Sequence, residues 1–205
     1  MFGLLNINKP AGPTSHDIVA RVRKLIGRRK VKVGHAGTLD PFADGVLVVC
    51  VGQATRLADY VQQQPKGYRA GITLGAVSDT HDTEGAITET PHAAPVDIDE
   101  VRSVLETFVG RIDQIPPAHS AVHVDGRRAY DLARAGHELD LPPREVNIYQ
   151  ISLAAYEYPN LTIEVSCGAG TYIRSLARDI GDKLGVGAYC SSLTRTAIGK
   201  FDLAS

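Results

Sequence analysis

The chain has 205 residues and a mass of 22.0 kDa, with 43% hydrophobic and 22% charged residues. That usage is ordinary for a soluble globular protein and excludes disordered, collagen-like and coiled-coil readings, and the length leaves one large domain or two small ones at roughly 150 residues per domain. Lys plus Arg number 22 against 23 Asp plus Glu, a formal net charge of −1 that by itself argues against a nucleic-acid partner.

The near-neutral total is a cancellation between segments. Residues 1–75 hold 11 Lys/Arg and 4 Asp/Glu, net +7; residues 76–113 hold 2 and 9, net −7; residues 114–205 hold 9 and 10, net −1. Arg21, Arg23, Lys24, Arg28, Arg29, Lys30 and Lys32 crowd into residues 21–32 without one acid, a footprint suited to a polyanion, the alternative being a solvated helix face followed by a basic loop. Cys50, Cys167 and Cys190 are far apart and form no CxxC, which fits reduced thiols and not a disulfide framework or zinc site. The apolar run at the N-terminus is too short for a signal peptide and Val46–Val51 too short to span a membrane, so a cytoplasmic location away from membranes is expected.

Taken in chain order, Ser15 precedes an apolar stripe of Ile18, Val19, Val22, Leu25 and Ile26, which predicts a helix stopping at Gly27, with Arg21, Lys24 and Arg28 on another face. Val46–Val51 reads as a buried strand and Tyr68–Leu74 as a second. An acidic, turn-rich loop is expected between Gly75 and Pro95. Asp97 with Glu100 resembles a capping box before a helix of Ile98, Val101, Val104, Leu105 and Phe108. A short helix is predicted over 127–135, then strands over Val146–Glu157 and Leu161–Cys167, then a helix opening at Gly170-Thr171 with Ile173, Leu176, Ala177, Ile180 and Leu184 on one face. Strands mixed irregularly with three or four helices favour an α+β fold in one continuous domain.

The densest run of special residues is Gly34-His35-Ala36-Gly37-Thr38-Leu39-Asp40-Pro41-Phe42-Ala43-Asp44-Gly45, a tight loop between a basic stretch and a buried strand, where reactive groups are often held. Asp40 is its best single acid, because Pro41 restricts its backbone; an Asx-type turn is the alternative. Other motifs fail. There is no GxxxxGK[ST] and no GxGxxG, Asp79–Gly85 cannot be aligned to a calcium loop, and consecutive Ser15-His16-Asp17 side chains diverge. His119 and His123 have helical zinc spacing, but Pro116-Pro117 and the lack of an adjacent Glu make them a poor metal pair. Arg174 in the first turn of a helix opposes the dipole, so an anion is expected to hold it, a carboxylate such as Asp40 or a phosphate. Tyr68, beside Lys66 and Arg69, is either a stacking platform for a nucleobase or simply packed.

Ordered blocks of spaced residues run almost from end to end of the chain: Asn8-Lys9-Pro10-x-Gly12-x-Thr14-Ser15, the GHxGTLDP run at 34–41, Asp79-Thr80-x-Asp82-x-x-Gly85 and Gln114-x-Pro116-Pro117-x-x-Ser120-Ala121. They continue through Gly126-x-Arg128-x-Tyr130 and Gly170-Thr171-Tyr172-Ile173-Arg174-Ser175-Leu176 to Leu193-x-Arg195-Thr196. In order and spacing these blocks resemble the TruB family of tRNA pseudouridine synthases. The resemblance implies a pseudouridine synthase catalytic domain with a central mixed, mostly antiparallel sheet flanked by helices. It implies conversion of uridine to pseudouridine at position 55 in the T loop of tRNA, on a flipped-out base and without cofactor or metal. Asp40 would be the nucleophile, Arg174 would pair with it and keep it ionised, and Tyr68 would stack on the base above Leu193. His35 would contact the RNA, Lys9 would support the loop, and Arg21, Lys24, Arg28, Arg29, Lys30 and Lys32 would grip the backbone.

Phe42 and Asp44 stand where the family usually has Leu and Thr, and bases common in the family are replaced at His123, Ala169 and Thr194, which implies weaker or relocated phosphate contacts. A single catalytic domain over 1–205, without the C-terminal PUA domain of many members, and a monomeric state are expected. The alternatives are a non-catalytic RNA-binding or tRNA-folding module, and the same chemistry on another RNA.

Overall fold

A computed structural model describes residues 2–27, 30–91, 93–118, 120, 123–124, 127–128 and 141–204. Strand β1 (Gly3–Lys9) leads to helix α1 (Ser15–Ile26), whose Ile18, Val19 and Val22 pack on Leu47, Val49 and Val51. Its N-cap is Thr14 and not Ser15. The Thr14 hydroxyl accepts from the Asp17 N–H while the Asp17 carboxylate accepts from the Thr14 N–H, a reciprocal box that leaves Ser15 free to turn inward. Gly27 closes the helix in the left-handed region at φ 66°, as its position predicts. Leu25, expected on the apolar stripe, is 87% exposed, because the stripe narrows to one side in the last turn.

Strand β2 (Val33–His35) and strand β3 (Asp44–Val51) flank the Gly/Pro-rich loop. Every β3 residue after Asp44 is buried, since Leu47, Val49 and Val51 face α1 while Val46, Val48 and Cys50 face a second cluster with Ala36, Val61 and Ile198. This is why the run is continuously apolar instead of alternating. A 3₁₀ turn (Gly52–Leu57) and short helix α2 (Ala58–Gln62) follow. Strand β4 (Lys66–Leu74) comes next, then a hairpin of β5 (Ala76–Ser78) and β6 (Ile87–Glu89) inside the segment expected to be loop throughout. Helix α3 (Ile98–Glu106) starts at Asp97, whose carboxylate accepts from the Asp99 N–H.

The remaining strands are β7 (Gly110–Gln114), β8 (His123–Val124), β9 (Arg127–Arg128), β10 (Arg144–Glu157) and β11 (Asn160–Cys167). Arg127–Arg128 pairs with His123–Val124 and so does not open a helix; the rest of the helix predicted over 127–135 lies outside the described residues. Helix α4 (Ile173–Lys183) begins two residues later than expected, with Tyr172 at its cap, and strands β12 (Ala188–Ile198) and β13 (Phe201–Asp202) complete the described chain.

The main sheet runs β1-β3-β12-β4-β11-β10-β7, with β2 beside β3 and β13 beside β12. All its pairs are antiparallel except β12 with β3, where Thr194 meets Asp44 and Arg195 meets Gly45 in parallel register. The sheet is therefore mixed and mostly antiparallel, the α+β architecture expected. Its larger core joins Tyr68, Ala70 and Ile72 of β4 to Ile173, Leu176 and Ile180 of α4 and Val101 and Leu105 of α3. Among the described residues no helix is long and apolar enough to cross a membrane.

Candidate active site

Asp40 sits at the end of the loop that leads from β2 into β3. Three separate devices fix that loop. The buried hydroxyl of Ser15, freed from capping, donates to the Leu39 carbonyl and accepts from the Leu39 N–H, both at 2.9 Å. Lys9 lies at the end of β1 with its ammonium inside the protein, donating to the carbonyls of Pro10 (2.9 Å), Pro13 (2.8 Å) and Pro41 (3.2 Å). Arg195, only 1% exposed, donates from Nε to the Val46 carbonyl at 2.8 Å and from its terminal nitrogens to the carbonyls of Thr38 and Gly37, each at 3.1 Å. A loop of this kind has few internal hydrogen bonds, so its buried carbonyls need such external donors.

The Asp40 side chain keeps 33% of its surface open, and Arg174 of α4 meets it with Nε 2.9 Å from Oδ2 and a terminal nitrogen 3.3 Å from Oδ1. The anion expected at Arg174 is thus a carboxylate, and there are two of them. Asp82, from the loop of the β5–β6 hairpin and 2% exposed, takes the other side of the guanidinium at 3.0 Å. Asp82 is itself held by the Thr80 hydroxyl (2.6 Å) and the Glu84 N–H (2.9 Å). Glu84 feels both carboxylates after its own partial burial, and all three causes push its pKa up.

Arg174 does not by itself set the protonation of Asp40. Desolvation is the largest influence and pushes the carboxyl above its ordinary value of 3.8; Arg174 opposes this, Asp82 reinforces it, and the net direction is upward. Arg174 thus pairs with Asp40 and favours its ionised form as expected, against a larger opposing effect of burial.

Tyr68 and Leu193 are buried on the neighbouring strands β4 and β12, in one cluster with Leu39 and Ala43 from the loop. Burial pushes the Tyr68 phenol up to about 12 while the Arg195 charge pulls the other way. His35 ends β2 half-buried, with Nδ1 unpartnered among the described residues; burial, then Arg195 and His16, lower its pKa. Asp40, Arg174, Tyr68, Leu193 and Lys9 are therefore brought to one place by β1, β4, β12, α4 and one loop. Sequence reasoning missed Asp82 and Arg195 as members, although both fall inside the motif blocks quoted above.

Of the bases expected to face a polyanion, Arg21 and Lys24 are exposed on α1, and Lys30 and Lys32 are exposed before β2. Lys30 and Lys32 line a groove of about 440 Å³ with Phe2, Thr55 and Arg56, so Arg56 joins them. Arg28 and Arg29 lie outside the described residues, as does the His119 member of the dismissed histidine pair.

Comparison with known proteins places this geometry in a family. The model for "TruB family pseudouridylate synthase (N terminal domain)" matches residues 23–173, which span the loop of Asp40, the hairpin of Asp82 and the strand of Tyr68. The chain belongs to the TruB family of pseudouridylate synthases. Among similar TruB-family proteins, the tRNA pseudouridine synthase B of Syntrophotalea carbinolica is 47% identical over 203 residues, 99% of this chain and 66% of its own length. That of Microcystis aeruginosa is 49% identical over 207 residues, 100% of this chain and 70% of its own. The chain thus spans about two thirds of the length of these relatives. A solved structure of a Cbf5–Nop10–Gar1 complex contains a chain with TM-score 0.77 and 35% identity, covering 98% of this chain and 50% of that one. TruB-family membership makes uridine isomerisation in RNA the chemistry that this site has to explain.

Proposed function

We propose that this chain converts uridine to pseudouridine at position 55 in the T loop of tRNA, with Asp40 as nucleophile, in the cytoplasm and as a monomer. The observation that carries the reading is the partly open Asp40 carboxylate ion-paired to the buried Arg174 at 2.9 Å, beside Tyr68 and Leu193. A carboxylate so placed is aimed by a rigid partner and still reachable, which is what covalent catalysis by a weak nucleophile requires.

The target uridine leaves the stack, because its reacting atoms are inaccessible within it. Tyr68 and Leu193 provide an aromatic and an apolar surface for the extruded ring. Asp40 attacks the sugar or the uracil ring, the glycosidic C–N bond breaks, and the base turns. C5 then bonds to the sugar carbon, the bond to Asp40 breaks and returns the carboxylate, C5 gives up its proton and N1 gains one, so the reaction is a net isomerisation. Arg174 compensates the charge of Asp40 before attack and on its release. His35 and the bases Arg21, Lys24, Arg28, Arg29, Lys30 and Lys32 hold the RNA, a role that carries affinity and little sequence information. The names of the relatives support tRNA as the substrate class.

The test is mass-spectrometric detection of pseudouridine in T-arm RNA incubated with wild type and Asp40→Asn. Product from the wild type alone is expected; equal product from both removes Asp40 from the chemistry. Mapping modified sites in total RNA separates tRNA from other substrates, and binding with no product from either protein favours the RNA-folding alternative.

A further inference from the structure

We propose that Arg195 is a positioning residue of this reaction, its guanidinium fixing the Asp40 loop and the Tyr68 phenol at one separation. The inference rests on the reading above that Asp40 attacks a uridine held against Tyr68.

The three carbonyls that Arg195 binds come from both flanks of the loop. Gly37 and Thr38 precede Asp40, and Val46 follows it on β3. A planar guanidinium donating along three directions therefore fixes both ends of that loop relative to β12. On its other side Arg195 is the directly opposed cross-strand partner of Tyr68, a position that brings Cβ atoms within about 5 Å. The Arg195 guanidinium is near enough to the Tyr68 phenol to oppose the rise that burial imposes on it. Arginine has only donors, so the phenolic oxygen can meet the guanidinium only as an acceptor.

The backbone approach is equally close. A Cβ on Gly45 would lie 2.3 Å from the Arg195 carbonyl oxygen, so β3 and β12 meet here with no room for a side chain. Burying a guanidinium is costly without full hydrogen bonding. A core position whose only duty was packing would be filled by leucine or methionine. The fork of donors is the property used, and lysine, a point charge on a flexible stem, lacks it.

The test uses Arg195→Lys, Tyr68→Phe and the double variant, with single-turnover pseudouridine formation at saturating T-arm RNA, RNA binding and thermal unfolding. Arg195→Lys is expected to slow the single-turnover rate about 10- to 100-fold, as for a small misplacement of reacting groups, with RNA Kd within about threefold of wild type. Tyr68→Phe is expected to slow the rate, and to slow it less in the Arg195→Lys background than in the wild type, because the two share one contact. A wild-type rate in Arg195→Lys, a parallel loss of RNA binding, or independent multiplying effects would overturn the proposal. If Arg195→Lys does not fold, Tyr68→Phe alone decides: a wild-type rate overturns the proposal, and a slowed rate at an unchanged unfolding midpoint supports it. A wild type that makes no pseudouridine overturns the functional reading alone. The Tyr68 fluorine resonance of 3-fluorotyrosine-labelled protein then decides the contact, supporting it if Arg195→Lys moves the signal and overturning it if the signal stays.

Discussion

Asp82 and Arg174 form an almost fully enclosed ion pair at 3.0 Å, although 92 residues separate them in the chain. The pair brings a hairpin loop from the first half of the sequence against a helix from the last quarter, and it leaves the opposite edge of the guanidinium for Asp40. Asp82 therefore orients Arg174, and it also acts on Asp40 as a second negative charge.

That double action gives a signed pH prediction. Burial and Asp82 both raise Asp40 above its ordinary 3.8, so the single-turnover rate of the wild type should rise with pH through a midpoint above that value as the carboxylate ionises, and then level off. Asp82→Asn removes a charge that raises Asp40 and that competes with it for Arg174, so the midpoint should move down. The plateau should fall by about tenfold or more because Arg174 loses an anchor. An upward shift of the midpoint would contradict this account of the site.

The loop before β3 makes two glycines unequal. Gly37 and Gly45 both have φ near 100° (102° and 103°), but a Cβ on Gly37 finds nothing closer than 3.9 Å while one on Gly45 meets the Arg195 backbone at 2.3 Å. Gly37→Ala is expected to cost about 1–2 kcal/mol, the strain of the backbone alone. Gly45→Ala should cost about 3 kcal/mol or more, since the strands must also part. Denaturant unfolding of the two variants checks the difference, and equal losses would remove the close approach as its cause.

Lys9 is a buried cation with three carbonyl acceptors and no contacting carboxylate among the described ion pairs. Lys9→Met keeps much of the stem and deletes the donors. A loss of about 3 kcal/mol is expected in denaturant unfolding, because charge-assisted hydrogen bonds are lost and their acceptors stay buried. A change below about 0.5 kcal/mol would mean that water satisfies those carbonyls equally well.

The exposed bases on and after α1 make a salt prediction. RNA affinity should fall steeply between about 50 and 200 mM salt. Reversing Arg21 and Lys24 to Glu should reduce the slope of log affinity against log salt by about 2, one for each lost phosphate contact. An unchanged slope places the RNA on another face.

Much of this was legible in the chain, and the limits have physical causes. Continuous apolar β3 and the stripe of α4 showed themselves because their burial is written into one-dimensional patterns. Asp40 stood out because glycine and proline mark a constrained loop. Asp82 did not, because its partner is distant in sequence and its own neighbourhood reads as turns. Arg195 was hidden by its residue type: arginine is expected at the surface or on phosphate, and nothing local says that its donors are consumed by carbonyls from residues 37, 38 and 46. The cap at Thr14 instead of Ser15 turned on which hydroxyl the loop claimed first, a tertiary competition.

The parallel contact of β12 with β3 also has a temporal side. The loop of Asp40 closes only when residues 194 and 195 lie against 44 and 45, about 150 positions apart, and contacts so distant form late. On the ribosome the Asp40 loop waits, its carbonyls provisionally hydrated, until β12 emerges to claim them. A chain that has not yet made β12 lacks the donors that hold the carbonyls of residues 37, 38 and 46.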